Sequence, residues 1–185
     1  MKKLFFILPL LLFAGLTGCV LTPHTPPETQ TYDLDIPDRG QPQSKFHVSL
    51  FTNDTPSRSR MVYRKKNNQI LMDEYNCWVQ SPDRMLQRYL SLAFPLDGNP
   101  HLDKLAELRG VITAFELNMD TCEAVLAISY SLRLGDDRDF GTIYLREKLD
   151  THSAAAFAQA MSRAAAQACQ SIGQTAAKFA ADKQQ

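Results

Sequence analysis

The chain has no surplus of charge of either sign: 20 basic residues stand against 20 acidic ones in 185. Without a basic excess or stripe, a nucleic-acid partner is not expected. The same balance excludes holding anionic headgroups by bulk charge. No apolar run reaches the roughly 20 residues that a membrane-spanning helix needs. The longest, Leu4 to Gly15, is interrupted by Pro9. Catalytic signatures are also missing. There is no G-x-S-x-G, so Ser57, Ser59 and Ser153 have no nucleophile elbow. There is no Gly-rich phosphate loop and no H-E-x-x-H. No two cysteines form C-x-x-C, and His24, His47, His101 and His152 are scattered away from metal-ligand spacing. Asp136, Asp137 and Asp139 follow Gly135 but lack the spacing and closing Glu of a calcium loop. They read as a solvated hairpin turn. An enzyme, a metal site and a soluble cofactor therefore have no positive support.

What is present begins at the N-terminus. Lys2 and Lys3 precede the apolar stretch, and Leu16-Thr17-Gly18-Cys19 follows it. Charge, apolar core and small residues at a cut make the order of a secretory signal. Leu-Thr-Gly-Cys in that place resembles the lipobox of bacterial lipoproteins. The resemblance implies cleavage between Gly18 and Cys19, a diacylglyceryl group on the Cys19 thiol and an N-acyl chain on its new amine. Two or more chains anchor a protein firmly where one does not. Val20 follows the cysteine where Asp would signal inner-membrane retention. By that family rule the protein passes to the inner leaflet of the outer membrane and faces the periplasm.

Removing residues 1–18 leaves 167 residues with a net charge of −2, one domain by length. Residues 19–31, with Pro23, Pro26 and Pro27, read as the lipidated N-terminus and a flexible tether. Residues 32–185 read as a single periplasmic domain. Cys77, Cys122 and Cys169 remain beyond Cys19. In an oxidising compartment an odd set allows one disulfide and one leftover thiol. Three buried thiols are the alternative, and the three pairings are equal on sequence.

Alternation predicts strands over 32–36, 46–50, 61–64, 69–79, 107–119, 123–134 and 140–149. Lys65 to Asn68 reads as a turn. Ser81-Pro82-Asp83 predicts a helix start, with Ser81 capping, and Pro95 a stop. From His152 to Lys183 an Ala-rich helix is expected, capped by Thr151 or Ser153. Its small residues predict close packing onto the domain's own sheet. A subunit interface, and so a homo-oligomer, is the rival use. The class is α+β: a mainly antiparallel sheet of six to seven strands, one mid-chain helix and a long C-terminal helix packed on it. Tyr63, Tyr75 and Trp78 are expected to fill a hairpin core against the mid-chain helix.

Arg60-Met-Val-Tyr-Arg64, the strand from Gln69 ending Tyr75-Asn-Cys-Trp78, then Ser81-Pro82 and an amphipathic helix carry a second resemblance. With the lipobox and Tyr32-Asp33-Leu34, this stretch resembles the ABC-type transport auxiliary lipoproteins, the PqiC-like family. The resemblance implies a non-enzymatic accessory lipoprotein. Its implied partners are an MCE-domain periplasmic protein and the membrane permease of an intermembrane lipid or solvent-resistance system. The lipoprotein would dock the periplasmic tunnel at the outer membrane. The rival expectation is a stand-alone outer-membrane assembly or structural lipoprotein with another envelope partner.

Overall fold

The computed structural model describes residues 27–38, 46–56, 58–96, 101 and 105–182. In chain order the elements are β1 (Gln30–Tyr32), β2 (Phe46–Asn53), β3 (Arg60–Arg64), β4 (Ile70–Trp78), α1 (Pro82–Ala93), β5 (Ala106–Asn118), β6 (Glu123–Leu134), β7 (Asp137–Lys148) and α2 (Ala154–Asp182). A short 3₁₀ turn, Lys66–Asn68, joins β3 to β4. Asn67 and Asn68 both take φ 61 there, a conformation that asparagine tolerates better than most residues.

All seven strands belong to one sheet, ordered β1-β4-β3-β5-β6-β7, with β2 also paired to β5. Strands β5, β6 and β7 form the expected antiparallel meander, and β3–β4 the expected hairpin. The other pairings are parallel: β1 with β4, and both β2 and β3 with β5. β2 lies along Ala106–Ile112, and β3 meets Leu117 and Asn118 further on. The chain thus lays two successive strands along one edge of β5, and the sheet is mixed within a mainly antiparallel plan.

Both helices belong to one hydrophobic core with the sheet. In α2, Ala160, Ala164 and Ala168 are buried and the helix packs on β6 and β7. Side chains of one carbon let its axis approach the strands closely. Ser153 caps it, its Oγ accepting the Ala156 N–H at 3.1 Å. Ser81 does not use its hydroxyl. It is extended and makes no side-chain cap bond, so Pro82 and Asp83 start α1. Trp78 is 2% exposed, as the core reading requires. Its ring meets Phe115 of β5 and Phe157 of α2 edge-on, with centroids 5.1 and 5.3 Å away. Its aromatic neighbours are therefore on β5 and the C-terminal helix rather than on the mid-chain helix.

Tyr75 corrects the reading of β4: it is exposed. Arg60 pairs with Cys77 but Val62 pairs with Met72, so β4 carries extra residues in a bulge. Asp73 holds it. Its Oδ1 accepts the N–H groups of Tyr75 and Asn76, and its Oδ2 accepts the Tyr63 hydroxyl at 2.5 Å. A bulge re-aims side chains, and alternation alone misses it. The first strand also differs. β1 stops at Tyr32; Leu34 is buried, whereas Ile36 stands 90% exposed. At the other end, β7 starts at Asp137 directly after a turn at Gly135 and Asp136, three residues before the expected start. Gly135 takes φ 63, which permits the tight turn.

Candidate functional site

Gly18 and Cys19 lie outside the described residues, so cleavage and lipidation stand as expectations. The first fixed point after them is β1, whose backbone pairs with Asn76–Trp78. Beyond it, residues 33–38 form an arm across the helices. Asp33 is ion-paired with Arg88 of α1. Leu34 is buried, and the Asp35 N–H donates to Ser162 Oγ of α2 at 3.0 Å. Ser162 in turn donates to Ala158 O at 2.9 Å. The arm, α1 and α2 enclose a groove of about 550 Å3, with Tyr89, Phe94 and Cys169 among its lining residues and Gln167, Gln170 and Gln174 along the helix.

The three described cysteines are free thiols in this structure. Cys77 is half-buried in β4. Cys169 is buried in α2, and burial pushes its thiol pKa up to about 12. Cys122 sits in the β5–β6 turn at φ 55, with Sγ 3.4 Å from His152 Nδ1. Among the described residues, no group of three or more His, Cys, Asp or Glu is placed to hold a metal ion. No described helix is long and apolar enough to cross a membrane.

The sheet's other face has the form of a docking surface. Register assigns its rows: Glu116, Val125 and Arg146; Ala114, Ala127 and Tyr144; Arg109, Ser131 and Phe140. A bulge between Ile112 and Ala114 keeps the β5 members on this face. Phe140 is 72% and Tyr144 57% exposed, and Met72 of β4 is also exposed. Beneath them Val62, Val125 and Ala127 are buried. Arg64 grips the buried Glu116 through two bonds, one of them Nη2 to Oε2 at 2.9 Å. Arg146 pairs with Glu123 at 3.6 Å and lies 5.4 Å from the Tyr144 ring centroid. The arrangement suits recognition: aromatic anchors, oriented guanidinium groups, and a strand β7 that among the described residues pairs with β6 alone, on one edge. Of these residues, the sequence offers only the surface near Arg60–Arg64, along with the small-residue helix, as a candidate interface. Alternation separates two faces of a strand but does not say which one the helices will cover.

Comparison with known proteins agrees with this architecture. Residues 53–173, well over half of the chain, match the family model described as "ABC-type transport auxiliary lipoprotein component". A crystal structure of protein XCC0632 from Xanthomonas campestris, assigned to DUF330, superposes with a TM-score of 0.63 at 16% identity, covering 84% of this chain and 100% of that one. A second crystal structure, of an uncharacterized protein, gives 0.62 at 16% identity over 84% of this chain and 99% of the other. At such identity these two share the fold. No curated protein is significantly similar to this chain.

Proposed function

The chain belongs to the ABC-type transport auxiliary lipoprotein components, and on that premise we propose that it is a non-enzymatic docking lipoprotein of an MCE-type intermembrane lipid transport system. Lipid on Cys19 holds it at the inner leaflet of the outer membrane, and its folded domain holds the periplasmic partner. The sheet face that the described helices leave uncovered carries this reading. Exposed Tyr144 and Met72 sit over a buried floor of Val62 and Ala127, beside the fixed Arg64–Glu116 pair. A face of that kind serves recognition between proteins.

The anchor fits the geometry. Eleven steps separate Cys19 from Gln30, and a fully extended chain of that length reaches at most about 40 Å. The β1 edge therefore stays within about 40 Å of the membrane. Any pull on the tether reaches the β1–β4 pairing first, and the arm over α1 and α2 only after it.

The test is an affinity pull-down of the lipoprotein from detergent-solubilised envelope, read by mass spectrometry. Recovery of an MCE-domain protein with its permease is the expected result. Recovery of a different envelope protein, from cells that make an MCE protein, supports the stand-alone assembly role instead.

A further inference from the structure

At the β6–β7 hairpin end of the open face, register brings Arg109 together with Arg133 and Arg138 of the hairpin. Glu107, Arg133 and Arg138 lie in one row; Arg109, Ser131 and Phe140 lie in the next. These six residues line a cleft of about 160 Å3. At about 30 Å3 per water, it has room for roughly five waters or one tetrahedral oxyanion with part of its shell.

The charge in the cleft is unbalanced. Glu107 is its one carboxylate, and both its oxygens are taken. Oε1 accepts from Arg109 Nε at 2.9 Å, with Nη2 in ion-pair contact also at 2.9 Å. Oε2 accepts from Arg133 Nε at 3.1 Å, with Nη2 in ion-pair contact at 2.9 Å. Each guanidinium has five N–H donors, so both keep donors for another acceptor, held in fixed planes by the shared carboxylate. Arg138 stands directly opposite Arg133, an opposition of like charges that destabilises a strand pair. Among the described residues, no carboxylate pairs with Arg138. Three guanidinium groups against one carboxylate leave an excess of two positive charges in a chain of zero net charge. The Ser131 hydroxyl adds a further donor to the lining. Phe140 sets an exposed ring at the rim.

We infer that Arg109, Arg133 and Arg138 form a binding site for a phosphate group, with Ser131 on its floor and Phe140 against the apolar part of whatever carries it. Planar guanidinium forks match phosphate oxygens in geometry and charge. The Glu107 carboxyl has its pKa held near about 2, chiefly by the Arg109 hydrogen bond, so the two forks stay oriented at neutral pH. The site does not depend on which transport partner the domain serves.

The experiment is calorimetric titration of the full lipidated chain in neutral detergent micelles. Inorganic phosphate is the ligand in one arm, and phosphatidylglycerol doped into the micelles in the other. Saturable binding is expected in at least one arm, and Arg138→Gln weakens it at least tenfold. Arg84→Gln, an exposed arginine on α1 outside the cleft, leaves the affinity unchanged. Saturation with inorganic phosphate supports recognition of the oxyanion alone. Saturation with phosphatidylglycerol only supports a lipid headgroup, with Phe140→Ser weakening it further. Both arginines are exposed, so matched thermal melts show that the variants remain folded. Absence of saturation in both arms overturns the site. An equal loss from Arg138→Gln and Arg84→Gln overturns it too, because that result is diffuse attraction.

Discussion

Trp78 is the chain's single tryptophan, closed between Phe115 and Phe157. Trp78→Ala is expected to cost about 3–5 kcal/mol, read from the urea midpoint. Its Nε1 is buried without an acceptor, so Trp78→Phe, which removes that polar group, loses less than half as much. Gly110 shows a constraint of another kind. A Cβ there would lie 2.3 Å from Cε1 of Phe51, a ring that is 2% exposed and has nowhere to swing. Gly110→Ala is expected to destabilise by about 1–3 kcal/mol through overpacking, and Phe51→Leu to relieve part of that loss. The burial of Trp78 was legible because a lone large aromatic at a strand end usually goes inside. The Gly110–Phe51 contact was not, since β2 and β5 pair across some 60 intervening residues. A glycine inside a strand was the available signal. Glu107 sets a pH dependence. Its folded pKa, about 2, lies below its ordinary 4.5. Its stabilisation is complete above about pH 4.5 and is lost as pH falls toward 2. The stability gap between the native chain and Glu107→Gln should therefore close over that window in urea melts; a gap that stays constant counters the assignment.

Among the elements, α2 was the most legible. Ala-rich composition, a Ser cap and regular apolar spacing all pointed the same way, and the helix runs unbroken from Ala154 to Asp182. Its buried face includes Cys169, whose thiol pKa burial raises to about 12. Alkylation of the folded chain at pH 8 should thus spare Cys169, while full denaturation exposes it. Labelling of Cys169 at the rate of a free thiol under native conditions would contradict its packing against the core. Strand β4 was only half legible. Its ends and its hairpin turn follow from Asn67 and Asn68, but Asp73 and Asn76 look like ordinary outward polar positions in the sequence. In the fold they close a bulge that turns Tyr75 outward. The β6–β7 hairpin was legible as a turn at Gly135. That it gathers Arg133 and Arg138 beside Arg109 depends on register, which the local sequence does not display.

For the whole molecule, class, element order and family were readable because each rests on local pattern: turns, caps, alternation, and the stretch from Arg60 into α1. The sheet order was not, since β2 and β3 share one edge of β5 through non-local parallel pairings. The open face is a consequence of that order together with both helices packing on the opposite side. Among the described residues it makes the domain two-sided, with the helices and the arm on one side and the sheet face ending in β7 on the other. The most direct measurement places a photo-crosslinking amino acid at Tyr144, on the open face, and separately at Gln170, on the helix side, in cells making the transport system. Crosslinks from position 144 to an MCE-domain protein, with none from position 170, are the predicted result. Crosslinks from position 170 alone, or from neither, would contradict docking through the sheet.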